Sequence, residues 1–224
     1  MGNRFDVVVI GAGSAGMAAG YYLSKKGVRV LMIDAYDPPH TSGSHHGETR
    51  IIRHAYGEGR EYIPLALRSQ QLWMELEEEA GERLFARTGV LGVGAPDSRF
   101  IRETIDGAKI HNLPLERLSA EEIMRRWPGI TIPETDIGCL EPDAGVLFCE
   151  ACLRAFRKGA IDRGAVLKTN TPVLSLQREA GGISLRTPTD TFYGERVIVS
   201  AGAWVGKLLA DLSLPLTPVR KTVG

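Results

Sequence analysis

The run Val7-Val8-Val9-Ile10-Gly11-Ala12-Gly13-Ser14-Ala15-Gly16, followed by a helical pattern over 17–26 and by Val28-Arg29-Val30-Leu31-Met32-Ile33-Asp34, decides the fold. A short apolar run that ends in glycine reads as a buried strand, and the second apolar run as a strand parallel to it after a helical crossover. Each glycine has its own task. Gly11 permits the tight turn, Gly13 lets a pyrophosphate approach the backbone, and Gly16 lets the helix lie close to the strand. Ser14 and Ala15 belong to the turn and, with the glycines, to the expected cofactor site, and the first N–H groups of the helix that follows have no partner within it and so favour an anion. Asp34, at the end of the second strand, is placed to accept hydrogen bonds from ribose hydroxyls, and its charge disfavours a 2′-phosphate. The expected ligand is FAD or NAD, not NADP. An ordinary strand–helix–strand unit with packing glycines would leave Gly13 and Asp34 without a role.

Around this stretch the composition sets bounds. A chain of 224 residues with 43% hydrophobic content can bury a core as one large domain or two small ones. Twenty-seven basic residues balance 27 acidic ones, which leaves no electrostatic case for nucleic acid or an anionic membrane as partner. The first apolar run is too short for a signal peptide and no run reaches membrane-spanning length, so the expected location is cytoplasmic. The three cysteines, Cys139, Cys149 and Cys152, are an odd number in such a chain and do not suggest a disulfide framework. Cys149-x-x-Cys152 has redox spacing, but Cys152 falls on a buried stripe with Ala155 and Phe156. A core role is expected, and one such pair is too few for a zinc site.

Beyond Asp34 the pattern predicts a turn-rich loop over 35–44, then a basic segment in which Arg50, Arg53 and Arg60 stand with His45, His46 and His54. A helix over 61–79 should bury Leu65, Leu72, Trp73 and Leu76 and stop at Gly81. From 83 the alternation changes: a strand over 87–94, a helix from Ser98 and a capping box at Ser119-Ala120-Glu121-Glu122 suggest an inserted second domain. The expected fold class is α/β, a Rossmann-like dinucleotide-binding domain (1–82 and 145–214) carrying an incomplete α+β substrate domain (83–144), to which 215–224 begins a return strand. Within the resumed domain, helix 150–163, strands 165–169 and 173–178, a hairpin at Gly181-Gly182 and a buried strand 197–204 are expected.

The glycine turn, Asp37-Pro38-Pro39-His40 and above all Gly43-Ser44-His45-His46-Gly47-Glu48-Thr49-Arg50-Ile51-Ile52-Arg53-His54-Ala55-Tyr56-Gly57-Glu58-Gly59 closely resemble the sarcosine oxidase and N-methyltryptophan oxidase family. Arg126-Trp127-Pro128-Gly129-Ile130, Glu141-Pro142-Asp143-Ala144-Gly145 and Ser200-Ala201-Gly202-Ala203-Trp204 extend the likeness over essentially the whole chain. The resemblance implies an FAD enzyme that oxidises secondary N-methyl amino acids to the imine, which hydrolyses to amine and formaldehyde while O2 becomes H2O2. Its full-length form is expected to be a monomer. The resemblance also places His46 and Arg50 beside the flavin ring, Arg53 on the substrate carboxylate, Val173 by the adenine and Gly202 against the flavin.

The chemistry needs such residues. Negative charge develops on the flavin as the amine is oxidised, and an arginine cannot escape by losing its proton. Histidine metal ligation is not expected, because His45 and His46 are adjacent and point apart. The family's flavin-linking cysteine and its oxygen-activating and carboxylate-binding lysines belong to a C-terminal half, so the chain is expected to be an N-terminal portion without turnover of its own. The alternatives are a non-catalytic dinucleotide-binding fragment that needs a second polypeptide, and a nicotinamide-dependent dehydrogenase. Nothing in the residues separates sarcosine from N-methyltryptophan as substrate.

Overall fold

The computed structural model describes residues 3–220. In chain order the elements are β1 (Arg4–Ile10), α1 (Ser14–Lys25), β2 (Val30–Ile33), β3 (Thr49–Ile52), α2 (Ile63–Ala80), β4 (Phe85–Ala86), β5 (Val90–Gly94), α3 (Arg99–Ile110), β6 (Glu116–Ser119) and α4 (Ala120–Arg126). They continue with β7 (Ile137–Glu141), β8 (Gly145–Phe148), α5 (Cys149–Asp162), β9 (Val166–Lys168), β10 (Ser175–Glu179), β11 (Gly182–Arg186), β12 (Thr191–Val199) and α6 (Val205–Leu208). The chain divides into two compact units, 1–47 with 150–224, and 48–149.

The first unit is built on a six-stranded sheet in the order β10-β11-β12-β1-β2-β9. Strands β12, β1, β2 and β9 run parallel, and β10-β11-β12 is an antiparallel ribbon on one side. Strands covered on both faces lose the polar–apolar alternation, which is why 7–10 and 30–33 read as continuous apolar runs. Val8, Ile10, Leu31 and Ile33 pack with Leu185 and Phe192 on one face. On α1, Met17 and Tyr21 are buried, and Tyr21 meets Phe156 of α5 with ring centroids 5.2 Å apart. Burying one such side chain is worth about 1.5–3 kcal/mol. Gly20 brings α1 so close to the sheet that a Cβ there would stand 2.1 Å from the Met32 sulfur.

The second unit holds two three-stranded sheets, β3-β8-β4 and β5-β7-β6, with all the described pairings antiparallel. Helix α2 ends at Gly81 in the left-handed conformation, as a C-terminal glycine permits. Ser98 caps α3, and Ser119 with Glu122 forms the expected capping box on α4. The unit's first and last residues meet, since Cys149 N donates to Glu48 O at 2.9 Å.

Several expectations need correction. The second unit begins at Glu48, not at 83, and closes at Cys149, not at 144. Strand β8, at 145–148, pairs with β3 and β4 of that unit, so the dinucleotide fold resumes with α5. Residues 191–199 form one strand, where a strand over 197–204 was expected. It stops at Val199, because Gly202–Trp204 is a 3-10 turn. On α2, Leu76 is buried as expected and Leu72 and Trp73 are half-buried, but Leu65 is exposed and Ile63 is buried instead. Residues 215–220 carry no strand, and the rest of that expected strand lies outside the described residues. All three cysteines are buried and free of disulfides. Among the described residues no helix is long and apolar enough to cross a membrane.

Candidate functional site

In the first unit the glycine turn is closed by backbone. Gly11 has φ +88°, and a Cβ on it would stand 2.6 Å from Ser200 O. A Cβ on Gly16 would stand 1.8 Å from Gly11 O. Neither glycine lines the cavity in front of the turn. They draw β1, α1 and the end of β12 together, and the Ser200 hydroxyl donates to Gly11 O at 2.6 Å to hold the corner. Gly13, Ser14 and Ala15 do line the cavity, which measures about 550 Å³ and includes Asp34, Val173 and Gly202. This volume lies within the ~300–1,000 Å³ of small-molecule sites. Gly13 is the N-cap of α1 and has no side chain to satisfy the first-turn N–H groups, so those donors remain for a ligand.

Asp34 is buried, and its carboxylate ties the turn to the second strand. Oδ2 accepts from Ala12 N at 2.7 Å and Oδ1 from Tyr36 N at 2.9 Å. His40 Nε2 stands 3.4 Å from Oδ1, is itself buried, and has no hydrogen-bond partner. A carboxylate offers about four acceptor positions, so Asp34 keeps capacity for a ribose hydroxyl. The orphaned His40 nitrogen, the uncapped helix and the open position at Gly13 together fit a dinucleotide with an anionic centre and hydroxyl groups.

Of the two adjacent histidines, His45 and His46, the one that faces this cavity is His45. It is 6% exposed and lines the cavity, whereas His46 is exposed and outside the lining. Burial first, and then the neighbouring His40, hold the His45 pKa below its ordinary value, against an opposing pull from Asp34. Sequence reasoning passed over His40 and His45. The signal available was Pro38-Pro39, a rigid turn that folds 40–45 back toward Asp34.

A separate cavity of about 590 Å³ lies within the second unit, lined by Arg53, Tyr56, Trp73, Phe100, Thr104 and Glu141 among others. The Arg53 guanidinium pairs with Glu58 and lies 4.9 Å from the Tyr56 ring centre and 5.2 Å from that of Phe100. Two rings and one carboxylate hold it, and its planar fork is of the kind that pairs with a carboxylate ligand. Arg50 does not line this cavity, and its Nη1 donates to Thr49 O at 2.7 Å. Glu141 was not expected in the site. Its buried Oε2 accepts from His54 N at 2.7 Å and Ala55 N at 2.8 Å, and so fixes the backbone just after Arg53. Among the described residues no three His, Cys, Asp or Glu side chains gather as a metal-binding set.

The profile of the FAD dependent oxidoreductase family matches residues 6–223. Monomeric sarcosine oxidase of Bacillus sp. (strain B-0618) is 53% identical over 227 residues, an alignment that covers 100% of this chain and 58% of that protein. N-methyl-L-tryptophan oxidase of Yersinia pestis (strain Pestoides F) is 44% identical over 217 residues, covering 97% of this chain and 58% of that one. The open form of NikD, an amino acid oxidase essential for nikkomycin biosynthesis, superposes with a TM-score of 0.85 at 28% identity, covering 93% of this chain and 54% of NikD. The chain thus spans somewhat over half the length of these relatives. With the glycine turn, Asp34 and their cavity in place, the match over nearly all its residues makes this chain a member of the FAD dependent oxidoreductase family.

Proposed function

We propose that this chain contributes the FAD-binding unit and the carboxylate-binding arginine of an oxidase for secondary N-methyl amino acids. The observation that carries the reading is Arg53, held over Tyr56 and Phe100 at the wall of a cavity in a chain of this family. In this reading Gly13, Ser14 and Ala15 offer backbone N–H groups to the diphosphate, and Gly11 and Gly16 hold the turn in shape. Asp34 accepts from the ribose, Val173 packs by the adenine, and Gly202 permits close approach of the flavin. FAD held there would supply the acceptor for a hydride equivalent from the amine and the route of its electrons to O2. By family resemblance we assign His46 and Arg50 to the charge that develops on the flavin and Arg53 to the substrate carboxylate.

A substrate carboxylate exchanges places with Glu58 on Arg53. The Tyr56 and Phe100 rings then hold the guanidinium while the acid partner leaves. Names of relatives point to sarcosine and N-methyl-L-tryptophan as the substrates to try. An oxidase to which this chain contributes its FAD-binding unit should form peroxide with one of them, and Arg53→Lys, which keeps the charge but loses the fork, should raise its KM about tenfold or more with flavin content unchanged. An unchanged KM would remove Arg53 from the carboxylate site, and uptake of NAD without FAD would remove the whole reading.

A further inference from the structure

His45 is more than nine-tenths buried, yet it sits on a loop and not in either sheet. Its Nε2 accepts the backbone N–H of His40 at 3.2 Å, and the His40 ring packs edge-on against it at 4.8 Å. A ring nitrogen that accepts a hydrogen bond carries no proton, so the proton of the uncharged ring is on Nδ1. Of the ring atoms, Nδ1 is the one nearest the Gly13 turn. It stands 3.3 Å from the position a Cβ would take on Gly13 and 2.5 Å from that on Gly43. Two glycines therefore make room for the ring, and one of them is the N-cap of α1, where the helix leaves its own N–H groups unpaired.

We propose that His45 is a cofactor-binding residue whose Nδ1–H donates a hydrogen bond to the diphosphate of FAD at the Gly13 turn. The assignment rests on the FAD reading above and adds a side-chain donor to what the glycine turn supplies through backbone alone. An uncharged donor suits the position. It costs less to bury than an imidazolium would. The tilt of the pKa agrees, since burial and His40 both favour the neutral ring. His45 thus has two jobs on two nitrogens. Nε2 braces the 40–45 loop, and Nδ1 reads the anion.

The two jobs separate by substitution. The amide of Asn overlies the Nδ1 side of the imidazole, and that of Gln overlies Nε2. Affinities for FAD, ADP and adenosine are measured by titration calorimetry on the full chain and on His45→Asn, His45→Gln and His45→Leu. ADP carries the diphosphate and adenosine lacks it. His45→Asn should hold ADP within about threefold of the unaltered chain, while His45→Gln and His45→Leu should lose about tenfold or more, as for a hydrogen bond to a charged group, with adenosine nearly unchanged. Retention by Gln with loss by Asn, or equal losses for ADP and adenosine, would make His45 a loop brace only and overturn the proposal. Unchanged ADP binding in all three variants would overturn it too, with the FAD reading intact. If the unaltered chain took up neither FAD nor ADP, both would fall together.

Discussion

At the scale of single residues, charge placed against backbone does most of the organising. Asp34 joins the turn to β2 through Ala12 N and Tyr36 N and still faces the cavity, so one carboxylate serves both folding and binding. Asp34→Ala should weaken ADP or FAD binding by about 1–3 kcal/mol, and the melting temperature should fall as well because two N–H groups lose their acceptor. Binding lost with the melting point unchanged would confine Asp34 to the ligand. His45 gives a pH dependence whose sign is fixed by its environment. Its folded pKa lies below the ordinary 6.5, so as pH falls the unfolded chain takes up the proton first. Around the ring, His40 and His46 disfavour its charge while Asp34 and Glu150 favour it. Stability owed to this group is present above pH 6.5 and is lost as pH drops through 6.5 toward the depressed value. Melting curves between about pH 7.5 and about pH 5.5 should fall more steeply for the unaltered chain than for His45→Phe, which has no such proton to bind. Equal slopes would mean that the ring titrates alike in both states.

At the scale of elements, the βαβ turn depends on an approach that only glycine allows. Gly16→Ala sets a methyl group against Gly11 O, and neither partner is a flexible side chain that could turn away. The cost should reach about 1–3 kcal/mol or more, read from denaturant unfolding, and the turn should lose ADP binding with it. A variant as stable as the parent would show that α1 can slide outward freely. This element was legible in the sequence because its glycine spacing, apolar runs and terminal acid each demand a local backbone, as do Ser98, Gly81 and the Ser119–Glu122 box. Strand β3 was not. It lies in a polar run, with Ile51 exposed and only Ile52 buried, so no apolar alternation marks it. Strand β12 was read as starting only at 197, because Glu195 and Arg196 before it are charged, yet they are exposed and do not interrupt the ladder to β1. His45 and His46 could not be ranked from adjacency alone, since which of two neighbouring side chains turns inward is set by the loop that carries them.

At the scale of the whole molecule, composition and the glycine turn gave the α/β class, and the change of pattern near 83 showed that something is inserted. The compact units divide the chain at 48 and 149, so that α2 and β3 fall with the second unit by contact, a division that the change of pattern near 83 does not mark. The hydrogen bond from Cys149 to Glu48 shows what kind of junction this is. The chain leaves the nucleotide unit and returns to it through a doorway one hydrogen bond wide, so cutting out 48–149 and splicing 47 to 150 through a short Gly-Ser bridge asks little of the remaining backbone. The shortened protein should melt cooperatively and bind ADP within about tenfold of the parent, the loss being limited by the small closure entropy of a short loop. Failure to fold would show that the nucleotide unit borrows its stability from its guest. Success would mean that the guest can be exchanged, one substrate pocket for another, on a host that never has to relearn how to hold its cofactor.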